Sequence, residues 1–226
     1  MKKISVLIPK IVLLAFTTIC ISACIKNDNF IKGDAKIRIF NNVINDTSQN
    51  FYFNNEKLQN ALSYSTNSGY LVVIGEQPYV IEAKNNITSV VNSTTNYTFP
   101  IGKNYSIYYT RDDSTTKPKM VIYEDTVRKN LKEARIMFIN VGYTLNSGIL
   151  LRNEKTAYKF TLTKGQKTEY ISITNPTDSG KFVCNLVDSA LVVDTIAANN
   201  FVKGNVYTII FDGTKSGKLR YRVVTN

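Results

Sequence analysis

From Ala35 to the end of the chain, short apolar runs alternate with Asn-, Gly- and Ser-rich breaks. Lys36-Ile37-Arg38-Ile39 alternates polar and apolar with a period of two, and Tyr79-Val80-Ile81-Glu82 and Tyr207-Thr208-Ile209-Ile210-Phe211 are rich in β-branched and aromatic residues. Both are strand signatures: successive side chains of a strand point to opposite faces, and branched or aromatic side chains pack well on a pleated surface. No window keeps apolar residues at i, i+3, i+4 and i+7 long enough for a helix of several turns. The pattern predicts an all-β protein. Fourteen Tyr and eleven Phe supply the bulk of its core without any Trp.

One stretch recurs. Ala35-Lys36-Ile37-Arg38-Ile39-Phe40-Asn41 has the plan of Ala134-Arg135-Ile136-Met137-Phe138-Ile139-Asn140: Ala, a cation, Ile, a variable residue, two large apolar residues, Asn. Three further echoes follow in order. Phe53-Asn54-Asn55-Glu56-Lys57 matches Leu151-Arg152-Asn153-Glu154-Lys155, with Asn placed for a tight hairpin. Gly69-Tyr70-Leu71-Val72-Val73 matches Glu169-Tyr170-Ile171-Ser172-Ile173, and Gly102-Lys103-Asn104-Tyr105-Ser106-Ile107 matches Gly204-Asn205-Val206-Tyr207-Thr208-Ile209. The offsets are 99, 98, 100 and 102, which small loop insertions explain. Ordered echoes at nearly constant spacing are what a duplication leaves.

A unit of about a hundred residues with some seven short strands has the size of an immunoglobulin-like sandwich. The Cys…Trp…Cys pattern of antibody domains is absent, so the expectation is sandwich architecture rather than membership of that family. The sequence therefore predicts two tandem immunoglobulin-like β-sandwich domains, residues 35–126 and 134–226, each stable by itself. Between them, Glu124 to Glu133 is charged and lacks strand alternation; residues 127–133 are the expected linker, with room for a helical turn.

The N-terminus reads as a sorting signal. Lys2 and Lys3 precede an apolar run from Ile11 to Ile21, and Ile21-Ser22-Ala23 places small residues before Cys24. That is a secretory leader, too short and too interrupted by Thr17 and Thr18 for a membrane span. Ile21-Ser22-Ala23-Cys24 resembles the bacterial lipobox, in which the Cys thiol is lipidated and becomes the mature N-terminus. Residues 1–23 are thus expected to be a lipoprotein signal peptide and residues 24–34 the lipidated Cys24 and a short tether. The protein is expected to be exported to the cell envelope and held at the outer membrane by lipid.

Charge and cysteine use narrow the picture. The formal charge is +11; without Lys2, Lys3 and Lys10 the mature chain has 25 basic and 17 acidic residues, or +8. In an exported protein this favours anionic surfaces such as lipopolysaccharide or acidic glycans, and nucleic acid is not an expected partner. Most of the cations are scattered, as on an ordinary solvated surface; Arg128, Lys129 and Lys132 are the exception. Cys20 leaves with the leader and Cys24 carries lipid, so Cys184 has no partner for an intrachain disulfide. Its face is shared with Phe182 and Leu186, which predicts a buried Cys acting as a small hydrophobe.

Catalytic chemistry finds little support. The chain has no His, which removes Ser-His-Asp and Cys-His catalysis and the usual imidazole-based metal sites. Asp112-Asp113 and Glu124-Asp125 are adjacent acids, and adjacent strand residues face opposite ways, so an acid/base pair needs a bulged loop. Asp112-Asp113-Ser114 lies in such a loop and leaves calcium open there, although no twelve-residue calcium loop exists. No phosphate loop or dinucleotide fingerprint occurs. No catalytic residue, metal site or cofactor is assigned. Four Asp-hydroxyl motifs, at Ser114, Thr126, Ser189 and Thr195, resemble the O-glycosylation acceptor of Bacteroidetes periplasmic and surface proteins; ordinary turn-flanking residues give the same pattern.

The motif residues together, Ala-(Lys/Arg)-Ile…Asn, an Asn turn, Gly-x-x-Tyr leading an aromatic strand, and Tyr123-Glu124-Asp125 entering the second copy, resemble the bacterial family called domain of unknown function 4397. The resemblance covers nearly all of residues 35 to 226 and implies secreted proteins and lipoproteins with a sandwich fold, often in tandem. It departs at Asn54-Asn55 and Arg152-Asn153, where the family has Asn-Gly, and between Thr174 and Asn200. It brings no site residue. The expected function is a non-enzymatic adhesion, recognition or assembly module acting on a glycan or an envelope protein. The alternative is a carbohydrate-binding accessory of an outer-membrane nutrient-uptake system, which a planar row of exposed Tyr would favour. Tyr108-Tyr109 bears on this: in a strand one ring faces the core and the other faces solvent, where it could stack on a sugar.

Overall fold

The computed structural model describes residues 33–125, 128–189 and 194–226. The signal peptide, Cys24, most of the tether, Thr126 and Val127 lie outside the described residues. Asp34–Asn226 forms one compact unit. Its first half contains β1 (Asp34–Asn41), β2 (Gln49–Phe53), β3 (Glu56–Leu62), β4 (Asn67–Ile74), β5 (Pro78–Asn85), β6 (Val91–Thr98), β7 (Asn104–Thr110) and β8 (Lys119–Asp125). Its second half contains β9 (Ala134–Asn140), β10 (Ile149–Asn153), β11 (Lys159–Leu162), β12 (Ile171–Ile173), β13 (Lys181–Leu186), β14 (Asp194–Ala197), β15 (Val206–Gly213) and β16 (Leu219–Thr225). The all-β class holds, with eight strands per repeat among the described residues where about seven were expected. Residues 128–133 carry a turn at Leu131-Lys132 and no helix.

Each repeat is a pair of four-stranded sheets. The orders are β4-β1-β7-β8 and β3-β2-β5-β6 in the first, β12-β9-β15-β16 and β11-β10-β13-β14 in the second. In both, the opening strand is central and runs parallel to the seventh strand, with Ile37 opposite Tyr105 and Ile136 opposite Tyr207. An antibody domain places its strands as ABED and CFG instead, so the shared feature is the sandwich and not the strand order.

The repeats superpose bond for bond at their organising motif. Gly102 N–H donates to Asp34 C=O and Gly204 N–H to Glu133 C=O, both at 2.9 Å. Asn42 N–H donates to Tyr109 C=O at 2.8 Å and Val141 N–H to Phe211 C=O at 2.9 Å. The hairpin echo is the exception. Asn54 and Asn55 form the expected two-residue β2–β3 turn with φ of 49° and 67°, the left-handed conformation that Asn tolerates. Arg152 and Asn153, however, lie within β10. Phe51 stands opposite Ala83 and Leu151 opposite Cys184, so the structural offset here is 100 and not 98. Core register decides it, and Asn153 caps its own turn by accepting Lys155 N–H at 2.9 Å and Thr156 N–H at 3.0 Å.

Each repeat has its own core. Ile37, Ile39, Tyr105 and Ile107 meet Phe51, Phe53 and Ile81 in the first. Ile136, Phe138, Ile209 and Phe211 meet Leu151, Phe182 and Cys184 in the second. A third cluster, Phe40, Tyr108, Ile139, Val141 and Ile210, draws on both repeats. The strands β1, β7, β9 and β15 therefore bury both faces. Tyr108 and Tyr109 illustrate the result: both rings are buried. Tyr109 enters the first core, while Tyr108 stacks on Phe40 at 4.8 Å and 7°. The expected solvent-facing ring is covered by the second repeat.

Ion clusters flank this shared layer. Arg38 lies over the rings of Phe40 and Tyr70 at 4.9 and 4.6 Å, donates to Thr225 C=O at 3.3 Å and Asn226 Oδ1 at 2.6 Å, and stands 3.8 Å from Asp125. Arg220 clamps Asp212 with two 2.9 Å bonds, while Arg222 Nε reaches the same carboxylate at 3.2 Å and its Nη1 donates to Ser65 C=O at 3.0 Å. Each cluster joins side chains and carbonyls of both repeats, which fixes how the two copies face one another.

Candidate functional site

The opening strands of the two copies both feed the shared layer, through Phe40 and Ile139. Thr110 Oγ1 donates to Val141 C=O at 3.3 Å, and Ile44 N–H donates to the Tyr143 hydroxyl at 2.9 Å. Both contacts lie at the end opposite Asp34, so the loops beyond β7, β9, β11 and β15 gather there. They enclose two adjoining hollows, of about 140 Å³ and about 480 Å³, which meet at Asp112 and Lys164. The smaller is walled by Arg111, Val121, Tyr123 and Val141. The larger is walled by Asp113, Ser114, Tyr143, Asn146, Lys215 and Ser216.

The acids of this cleft serve its own loop. Asp113 Oδ1 accepts Thr115 N–H and Thr115 Oγ1–H at 2.7 Å each, and Thr116 N–H at 2.9 Å. The Thr115 bonds first, then Thr116 and the charge of Lys164, hold the Asp113 carboxyl below its ordinary range. Asp112 is paired with Lys119. Neither carboxylate is set against the other as an acid/base pair, and among the described residues no three His, Cys, Asp or Glu side chains come together to hold a metal ion. Arg111, Lys164 and Lys215 line the cleft without an ion-pair partner among the described residues, beside the hydrogen-bonded carboxylate of Asp113. Polar walls with unpaired cations suit a hydrogen-bonding ligand that carries negative charge.

Ser114 is exposed on the rim, Thr195 is exposed on β14, and Ser189 is half-buried in the turn after β13. The structure does not gather these candidate glycosylation residues into one place. Lys164 and Lys215 drew no attention in the sequence; the turn signals Lys164-Gly165 and Lys215-Ser216-Gly217 were the available clue. The outer sheet faces are mainly polar: Tyr52 is covered by Lys84 at 4.5 Å, which pairs with Glu82 at 2.9 Å. No planar row of exposed Tyr occurs among the described residues. Tyr158 is 40% exposed and stacks on Phe160 at 6.2 Å.

Fold and cleft define a duplicated β-sandwich protein with a loop-built surface cleft. The chain belongs to the family described as "Domain of unknown function (DUF4397)", whose model matches residues 35–147, the first repeat and the opening strand of the second. No curated protein matches the chain. Among solved structures it is similar to a carbohydrate-binding module of family CBM26 from Eubacterium rectale, determined in complex with maltoheptaose, at 11% identity and a TM-score of 0.28. That match covers 85% of this chain and 97% of the other.

Proposed function

We propose that the protein is a non-enzymatic binding module of the cell envelope, anchored at the outer membrane through lipid on Cys24, with its recognition surface in the cleft between the repeats. The observation that carries the reading is the convergence of loops from both copies at the end opposite Asp34, around three unpaired cations. Rigid sheets hold the loops, and loops on a rigid scaffold are where specificity is built. The ligand class is a polar, negatively charged envelope glycan or peptide. The alternative, a carbohydrate-binding accessory of a nutrient-uptake system, rests on aromatic stacking, for which Tyr158, at the far end of the β10–β11 hairpin from Lys164, is the candidate.

The mature chain should be screened on a glycan array and against envelope polysaccharides. Lys164→Ala with Lys215→Ala should weaken any ligand found by about tenfold or more, since each charged hydrogen bond contributes roughly 1.5–3 kcal/mol, while leaving the melting temperature unchanged. Undiminished binding in that variant would move the site elsewhere. Loss of binding in Tyr158→Ala alone would favour the accessory reading.

A further inference from the structure

The opposite end of the unit, where β1 begins, has a different surface. Leu131 is 86% exposed and Val202 61% exposed. They belong to one patch, because a Cβ on Gly204 would lie 3.5 Å from Leu131 Cδ2. Arg128, Lys129 and Lys132 share a surface hollow with Leu131, and Lys203 follows Val202 in the chain; all four cations are exposed. The first repeat repeats the arrangement in its matching turn, with Ile101 48% exposed beside Lys103.

This loop is held in shape. Lys132 N–H donates to Asn130 Oδ1 at 3.0 Å, Glu133 N–H to Asn130 C=O at 3.1 Å, and Arg135 Nη1 to Arg128 C=O at 3.1 Å. Local carboxylates neutralise little of the charge. Glu124 is paired with Lys103 at 2.7 Å, Glu76 accepts Ile101 N–H at 3.3 Å, and Glu133 is half-buried. Asp34, Glu56, Glu154 and Asp178 also lie toward this end, and among the described residues none of these acids is ion-paired with Arg128, Lys129, Lys132 or Lys203.

Bare aliphatic side chains ringed by lysine and arginine are expensive to leave in water and match one kind of surface, a bilayer interface that presents phosphates above hydrocarbon. We propose that this end is a lipid-contact face: Leu131 and Val202 dip into the interface of an anionic membrane while Arg128, Lys129, Lys132 and Lys203 bind its phosphates. The consequence is orientation. A tether of ten residues spans at most roughly 35 Å, which keeps an anchored unit near the bilayer without setting which end faces it. Contact through this face holds the inter-repeat cleft pointing away from the bilayer. The inference adds to the anchor reading, and the test separates the two.

The acylated full-length chain, carrying a fluorophore at Asn130→Cys or at Ser216→Cys, should be reconstituted into vesicles that contain spin-labelled lipid. One set is phosphatidylcholine; the other is equal parts phosphatidylglycerol and phosphatidylcholine. Cys184 is buried and does not compete for the label. On anionic vesicles the probe at 130 should be quenched several-fold more than the probe at 216. High salt should remove the difference, because it shortens the reach of surface charge. Lys129→Glu with Lys132→Glu should weaken the contact on the order of fivefold or more per charge. Equal quenching at both positions, or quenching at 130 that ignores lipid charge and those substitutions, would overturn the proposal. Failure of the anchor looks different: the chain would not enter phosphatidylcholine vesicles, yet would still float with the anionic ones through this face.

Discussion

Asn41 and Asn140 make the same pair of hydrogen bonds in the two halves of the protein. Asn41 Nδ2 donates to Leu62 C=O at 2.8 Å and its Oδ1 accepts Val43 N–H at 3.0 Å; Asn140 Nδ2 donates to Leu162 C=O at 3.0 Å and its Oδ1 accepts Gly142 N–H at 3.0 Å. Their backbone carbonyls match as well, accepting Ser65 N–H at 2.9 Å and Gly165 N–H at 2.7 Å from residues with φ of 71° and 78°. One buried side chain thus ends the opening strand, ties it to the β3–β4 or β11–β12 turn, and turns the chain.

Asn41→Ala and Asn140→Ala should each destabilise the protein by about 1–3 kcal/mol, because each leaves a buried carbonyl and a buried amide without a partner. Urea unfolding measures it. A cost near zero for either would mean that the shared motif is not what closes the strand.

Asp125 should give stability an unusual pH dependence. Burial raises its carboxyl above the ordinary range, against the Ser106 hydrogen bond, the Arg38 charge and the Tyr70 hydrogen bond, which lower it. At 3.8 Å the guanidinium is too far away to offset the loss of water. The folded state therefore holds this proton more tightly than the unfolded state. Its contribution is greatest below the ordinary carboxylate pKa and declines as pH rises through the raised value. Asp125→Asn removes that decline, so the variant should gain on the wild type as pH rises from the ordinary carboxylate pKa through the raised one. A gap that stays constant or runs the other way would contradict the assignment.

Cys184 lies in the second core, opposite Leu151 and Asp194 on its neighbouring strands. Burial, with a smaller push from Asp194, raises its thiol to about 12. Thiol reagents should label the folded chain slowly at neutral pH and rapidly in denaturant. Cys184→Ser should cost about 1–3 kcal/mol by burying an unsatisfied hydroxyl, and Cys184→Ala less. Rapid labelling without denaturant would place the thiol outside the core.

The two proposed modifications can be read together by intact-mass spectrometry of the chain purified from its source membrane. Cys24→Ala should abolish palmitate incorporation and leave the leader attached. Exposed Ser114 and Thr195 should carry glycan before half-buried Ser189 does. Palmitate labelling that survives in Cys24→Ala would remove the anchor.

The β class and the duplication were legible because period-two runs and turn glycines are local signals. Ile37 and Ile39 reach the core that their alternation assigns them. Arg38 shows where local reading ends. A cation between two isoleucines reads as solvent-facing, yet here it is buried by Tyr70, Asp125 and the C-terminal residues, none of them its sequence neighbours. The clue was next door in the second copy. Ile136-Met137-Phe138-Ile139 does not alternate, as expected of a strand covered on both faces. The cleft was invisible for the same reason: the Arg111–Ser114 loop of the first repeat meets Lys164 and Lys215 of the second only because the two repeats face one another.

That facing arrangement is the central claim, and differential scanning calorimetry tests it most directly. With Phe40, Tyr108, Ile139, Val141 and Ile210 in one shared layer, the mature chain should melt in a single transition whose calorimetric and van't Hoff enthalpies agree. Ile210→Ala should lower that one transition, at a cost of about 2–5 kcal/mol, without splitting it. Two separate transitions, or residues 134–226 alone melting cooperatively at the temperature of the whole chain, would show instead that the repeats fold independently.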